Sequence, residues 1–327
     1  MALATASSLT STGGTRLMTV YYDKLFLQVA EEQLVHKQLG QANLKIGSGD
    51  GGFGTNKVQW TRWTNLDEIT AGGSGEGVPT SAVTLSAVAV TGTTSQFDNA
   101  VSISDILAYA GFGDIMKAAV ERLAYNAGVS IDSAVKLEVY NSGTAMTAQS
   151  NAHYSSMTAT GYLTITPARR AVRTLRRNNA RPLEDGLFVA VIHPDQEYDF
   201  LGDTTANGWN DVYKYAKPED MLKGEIGKLM GVRYLSSSNG ATIANPSGAA
   251  SGYTASATFY VASYFGRDAF GVTELQGLKT YIKNFGSGGV GDPTDKIATA
   301  GWKTTFGTSM LNSAFAVNMY TVVSSTA

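Results

Sequence analysis

Cysteine is absent from the 327 residues, which removes disulfides, thiolate metal sites and cysteine nucleophiles together and leaves the redox compartment undetermined. Histidine is scarce: His36, His153 and His193 are the only three, and no two of them have metal-ligand spacing. Neither a G-x-S-x-G nucleophile elbow nor an H-E-x-x-H helix occurs. Charged residues make up only 16%, against roughly 25% in a typical globular domain. With 25 basic and 27 acidic side chains the net charge is -2, which excludes a generally basic nucleic-acid binder and leaves only a local role of that kind. No apolar run approaches the length of a membrane span, and Met1 to Gly14 lacks both the positive charge and the apolar core of a signal peptide. A soluble protein that stays in the cytoplasm where it is made is the expectation.

What remains is 43% apolar with 36 glycines, enough for one large domain or two ordinary ones. A surface of uncharged Ser, Thr, Ala and Gly suits a chain covered by other chains; a secreted β-rich protein with a bland surface is the alternative. The strongest periodicity lies between Ser102 and Tyr140, with apolar residues at Ile115, Met116, Ala119, Val120, Leu123, Ala124, Ala127, Ile131, Ala134 and Val135. Lys117, Glu121, Arg122, Asn126, Asp132, Ser133 and Lys136 fill the other positions and read as a solvated face. With Asp114 as N-cap and Asn141-Ser142-Gly143 as the stop, the spacing predicts a rod on the order of 40 Å long.

Around the rod, Met1 to Thr15 reads as an arm and Val20 to Leu39 as a peripheral helix closed by Gly40. Asn56 to Trp63 and the run from Val83 through Val90 to Val101 read as extended, with a Gly-rich tip at Ala71 to Pro79. Together they predict one long hairpin that must lie on something, since a lone two-stranded ribbon is marginal in water. Ala145 to Thr160 reads as a loop, and Thr166-Pro167 as the start of a helix. Further on, Leu187 to Ile192, Gly227 to Leu235, Thr258 to Tyr264, Leu278 to Asn284 and Ala314 to Val323 read as strands. Helices are expected from Pro194 to Leu201 and at Pro218-Glu219-Asp220, and a surface loop from Ser236 to Ser256. The fold class is α+β.

One charge cluster stands out: Arg169, Arg170, Arg173, Arg176, Arg177 and Arg181, with no acid until Glu184. Five of them surround an apolar stripe of Ala168, Ala171, Val172 and Leu175, and two readings stand side by side. One is contact with phosphates or an acidic partner, the other a solvated helix face. Gly47 to Gly52 and Gly286 to Gly291 match G-x-G-x-x-G, but the first precedes a strand and neither opens an apolar helix, so no phosphate site is expected. His193 beside Asp195 fits capping at a strand-to-helix junction better than catalysis. No catalytic, cofactor-binding or metal-ligating residue is assigned.

Several strings carry a resemblance: Tyr21-Tyr-Asp-Lys-Leu-Phe26, Gln59-Trp-Thr-Arg-Trp63, Val101-Ser-Ile-Ser-Asp105, Ile192-His-Pro-Asp195, Gly224 to Tyr234, Gly266 to Gly271 and Gly301 to Phe306. In this order the chain resembles the Hong Kong 97-type major capsid proteins of tailed bacteriophages, within them a podovirus-like family. The resemblance implies residues 1–44 as N-terminal arm and helix, 45–101 as the extended-loop hairpin, and 102–184 as a peripheral domain with the rod as spine helix. It implies 185–299 as an axial domain and 300–327 as a strand returning to the peripheral domain. It further implies a non-enzymatic subunit of hexamers and pentamers in an icosahedral virion shell made in the host cytoplasm. The partners would be portal and scaffolding proteins and double-stranded DNA packaged without sequence specificity, with no membrane and no cofactor. Arg169, Arg170, Arg173, Arg176 and Arg177 are the candidate DNA or inter-subunit contacts. An encapsulin-like non-viral shell and a Gly-loop enzyme are the alternatives.

Overall fold

The apolar stripe that predicts the rod becomes helix α3, Ile115–Ser142, in a computed structural model that describes residues 21–30, 34–42, 56–68, 77, 82–111, 114–151, 153–158, 160–183, 185–202, 225–243, 258–286 and 292–324. Asp114 caps it by accepting the Lys117 N–H at 3.0 Å, and the Gly143 N–H closes the last turn on Val139 O at 3.0 Å. Val120, Leu123, Ala124 and Ala127 pack against Tyr22, Phe26 and Ala30 of the helical segment 21–30 (α1) and against Ala300 and Trp302. Farther along, Ile131, Val135 and Val139 meet Val189, Val191, Leu235, Phe265, Phe270, Val272 and Phe306, which come from two different sheets.

The first sheet is built on two 14-residue strands, β11 (Phe270–Lys283) and β12 (Ile297–Met310), paired antiparallel. β4 (Ser95–Ser104), which leads into the short helix α2 (Asp105–Ala110), runs antiparallel along the far edge of β12, and the short β1 (Gln41–Ala42) runs parallel to β11. The second is a mixed seven-stranded sheet. Its main path is β5 (Thr144–Thr147), β13 (Ala316–Thr321), β10 (Phe259–Phe265), β6 (Phe188–Ile192), β8 (Val232–Ser236) and β7 (Glu225–Leu229), and β9 (Ala241–Ile243) pairs with the end of β10. Helices α4 (Ile165–Arg177) and α5 (Pro194–Leu201) belong to this second sheet: Ala168, Ala171, Val172 and Leu175 of α4, and Phe200 of α5, share its core with Ala190, Tyr234, Tyr264 and Met319. β6 and β13 are buried at every residue, which accounts for the unbroken apolar run of β6, whereas β13 buries Asn318 and Thr321 among its apolar residues.

Several sequence expectations need correction. The extended run 83–101 divides at Thr94 into β3 (Ala87–Thr93), which pairs with β2 (Lys57–Trp63), and β4, which leaves for the first sheet. Within 20–39, residues 21–30 are helical, residues 34–36 are not, and a single 3-10 turn at Lys37–Leu39 precedes Gly40. The segment read as a loop at 145–160 supplies β5, because Thr144 to Thr147 can pair alongside β13. The loop expected at 236–256 supplies β9. α4 begins at Ile165 rather than Pro167, since Ile165 is itself buried and proline is tolerated in a first turn whose N–H groups lack helical partners. The expected helix at Pro218, the segment 47–52 and most of the tip 71–79 lie outside the described residues.

The sequence-drawn boundaries also cut across both sheets. Residues 102–184 contribute α3, which packs on both sheets, and α4, which packs on the second, and β11 lies in the first sheet although 185–299 was drawn as one unit. Within 300–327, most of β12 belongs to the first sheet and β13 to the middle of the second.

The supposedly solvated face of α3 is the largest correction. Asn126 Oδ1 accepts from Trp302 Nε1 at 3.3 Å and Asn99 Nδ2 at 3.0 Å, fixing α3 to β12 and β4. Asp132 is fully buried among polar donors. Because the apolar side of the rod faces α1 and β12, Leu123→Asp places an uncompensated charge in that core. We expect a loss of ~3–5 kcal/mol, read as insolubility or a sharply lowered melting temperature; unchanged melting would contradict the packing.

Candidate functional site

Two surfaces could do work, a projecting ribbon and an arginine-lined groove. The ribbon is β2 and β3, in antiparallel register from Lys57↔Thr93 to Trp63↔Ala87. One further rung follows, where the Thr64 N–H donates to Ser86 O at 3.0 Å. Its base is anchored: Val58 and Trp60 pack on Leu311, and Arg62 Nη1 donates to Leu311 O at 3.3 Å. The Trp60 indole lies against Gly92 and Gly271, where an added Cβ would stand 2.6 and 2.7 Å from ring carbons, so both positions need glycine for this close approach. Beyond the anchor the apolar side chains lose their cover: Trp63 is 61% exposed, Leu66 58%, Val83 68% and Leu85 54%. Asn65, Leu66, Asp67 and Glu68 continue past the last rung as exposed chain.

The groove is organised by α4. Its apolar stripe faces the second sheet, which turns its five arginines outward; one of them is diverted by its neighbours, and the sixth arginine, Arg181, lies past the end of the helix. Arg170 donates to the backbone carbonyls of Ala148 at 2.8 Å and Thr147 at 3.2 Å, tying α4 to the end of β5. Arg181 lines a separate cleft of about 740 Å³ at the ribbon's base, with Trp60, Arg62, Asn178 and Asp268. The remaining four, Arg169, Arg173, Arg176 and Arg177, line an open groove of about 910 Å³ floored by Val172 and Met230. Met230 and Gly231 form the two-residue turn joining β7 to β8, both at positive φ (55° and 78°). Gly231 sits under Arg176, whose Nη2 would stand 3.1 Å from an added Cβ. None of the four carries an ion pair with an acid among the described residues.

The other sequence candidate, His193, caps α5. Its Nδ1 accepts the Asp195 N–H at 3.2 Å while Gln196 Oε1 accepts the His193 N–H at 3.0 Å, a reciprocal capping box. Burial pushes the imidazole below its ordinary value, Asp195 pulls it up and Lys136 pushes it down again. A ring nitrogen that accepts a backbone N–H is unprotonated, so the 3.2 Å approach of Asp195 Oδ2 is not an ion pair.

A polar cluster that sequence reasoning missed is buried against α3. Asp132 accepts from the His36 N–H at 2.6 Å, His36 Nδ1 at 2.8 Å and Asn239 Nδ2 at 3.2 Å, and Asn239 Oδ1 in turn accepts from Lys136 Nζ at 3.0 Å and Ser133 Oγ at 3.1 Å. Burial pushes the Asp132 carboxyl up, but the hydrogen bonds and charge of His36, with Asn239, more than offset this and hold it below the usual carboxylate range. The available signal was spacing: Asp132 falls four residues after the buried Gly128, on the inward side of α3. The cluster joins the segment after α1, the rod and the loop before β9. Among the described residues no group of three or more His, Asp or Glu is arranged to hold a metal.

No protein-family model and no curated protein matches the chain. Solved structures do. The capsid of Ralstonia phage GP4 superposes with a TM-score of 0.67 at 13% identity over 88% of each chain. The capsid of the cyanophage P-SCSP1u gives 0.60 at 15% identity, again over 88% of each. The capsid of Helicobacter pylori bacteriophage KHP30 gives 0.59 at 12% identity, over 82% of this chain and 85% of that one. A likeness at such identities is one of fold: two sheets bridged by a long helix, with a ribbon projecting from their edge, are the Hong Kong 97-type fold of phage capsid subunits.

Proposed function

We propose that the chain is a major capsid subunit that assembles into hexamers and pentamers and closes an icosahedral head around double-stranded DNA. The observation that carries the reading is the ribbon. It is anchored at its base and bare beyond it, and Trp63, Leu66, Val83 and Leu85 need the cover that a neighbouring copy supplies. The Hong Kong 97-type fold supports the same conclusion. In this reading α3 with the four-stranded sheet is the peripheral unit, the seven-stranded sheet with α4 and α5 is the axial unit at capsomer centres, and the ribbon is the extended loop. Portal and scaffolding proteins are the heterologous partners, and the arginines of α4 are a contact with DNA or with another subunit.

Electron microscopy of the purified protein tests this. Closed shells or ring-shaped capsomers are expected, with nuclease-protected DNA in particles recovered from infected cells. Dispersed particles of single-subunit size at high protein concentration would overturn the proposal, and shells that carry protein cargo in place of nucleic acid would point to an encapsulin-like compartment.

A further inference from the structure

We infer that the groove of Arg169, Arg173, Arg176 and Arg177 is the seat for the ribbon of a second copy, occupied by its segment Leu66-Asp67-Glu68. The inference rests on the shell reading and adds the contact itself. Four guanidinium groups on one helix face, with no acidic partner among the described residues, repel one another until an anion compensates them. Asp67 and Glu68 are exposed carboxylates just beyond the last ladder rung, next to Leu66, whose side chain has no cover.

The two surfaces agree in length as well as sign. From Arg169 to Arg177 the helix rises about 12 Å, and three residues of extended chain span about 10 Å. Their chemistry agrees in a second respect, because the groove has an apolar floor at Val172 and Met230 to receive the Leu66 side chain while the acids meet the rim. A DNA backbone offers no protruding aliphatic group of the size of Leu66 to fill that floor, so the groove fits an acidic, apolar peptide better than phosphates. Arginine suits such a seat because its planar fork holds a carboxylate with two hydrogen bonds.

Charge exchange tests the assignment. Arg173→Glu with Arg176→Glu, and separately Asp67→Lys with Glu68→Lys, should leave folding intact by circular dichroism, since all four side chains are exposed. Each pair of changes places like charges opposite one another and should cut the yield of closed particles by about tenfold or more, and combining all four should restore most of it. The absence of native cysteine permits a second readout. Copies carrying only Glu68→Cys are co-assembled with copies carrying only Arg173→Cys and treated with a short bis-maleimide, because ion-paired side chains set their Cα atoms beyond the ~7 Å reach of a disulfide. A cross-linked dimer of the two variants is expected. Unimpaired assembly by either reversed variant, or no dimer from the mixed copies, would overturn the docking. So would arginine-reversed shells that close normally and lose only their DNA, which would assign the groove to phosphates. Wild-type protein that forms no assemblies would defeat the shell reading and this contact with it; wild-type shells indifferent to the changes would defeat the contact alone.

Discussion

Replacing Leu66 to Pro79 with a two-residue Asn-Gly turn should give a soluble subunit with nearly native circular dichroism that forms no closed particles. The ribbon's anchors lie at its base, in Val58, Trp60 and Arg62, and its described ladder ends at Thr64 and Ser86, so the change removes no described core contact. Exposed tips away from such contacts change stability by less than about 0.5 kcal/mol. The variant keeps a short connection between Thr64 and Ser86, made of residue 65, the Asn-Gly pair and residues 80–85, within the ordinary length of loops in compact domains. Assembly is affected differently, because each contact the ribbon makes on a neighbour recurs around every capsomer and a modest loss at one is multiplied by the symmetry. Light scattering and microscopy of the purified variant decide the matter: normal shells would refute the role given to the ribbon, and an unfolded variant would make the tip part of the core.

Asp132→Ala should be as damaging to the interior as Leu123→Asp. It strips the acceptor from the His36 N–H, from His36 Nδ1 and from Asn239 Nδ2 in a site where Asp132 and His36 are 0% and 2% exposed. Leaving these buried donors without their acceptor costs about 3–5 kcal/mol, which in a chain of this size lowers the melting temperature by about 4–7 °C. The acid side of the stability profile gives an independent check. Since the folded carboxyl titrates below the value of about 3.9 expected unfolded, its contribution is complete above that value and is lost as pH falls through the lower folded one. The charged and titratable groups around it are His36 and Lys136, with His193 one step beyond. Asp132→Asn keeps the shape and removes the titration, so its melting temperature should fall less steeply than that of the parent between pH 5 and 3. Parallel curves would show that Asp132 does not supply the slope.

Features with a local cause were legible in the sequence. α3 announces itself through its apolar spacing and is bounded by Asp114 and Gly143 as expected, and β6 shows as five consecutive apolar residues because both its faces are buried. What stayed hidden has a tertiary cause. β12 turns Ala298, Ala300, Trp302, Thr304 and Phe306 inward, a strict alternation masked by small and polar residues where the sheet meets α3. Nothing in Thr94 marks the point where the chain leaves one sheet for another; its N–H and hydroxyl both donate to Asn56 O, at 2.8 and 3.1 Å, a partner distant in sequence. The arginine face was visible as a face. Its division into a four-residue groove, a carbonyl clamp at Arg170 and a cleft wall at Arg181 depends on β5, on the Met230 turn and on the ribbon's base, which no helical pattern contains.

The position of β13 has a consequence for the timing of synthesis. Residues 316–321 fill the place between β5 and β10, and β13 is the only strand with which β5 pairs among the described residues. About 170 residues of chain separate β5 from β13, so at ordinary elongation rates β5 waits on the order of ten to thirty seconds for its partner. Until then β10 keeps a bare edge, and a nascent subunit on the ribosome has all of its ribbon but not a finished sheet. Completion of the sheet thus acts as a clock: in the shell reading proposed above, a subunit becomes able to join a lattice only after residue 321 has been made, which keeps half-made copies on neighbouring ribosomes from nucleating a shell.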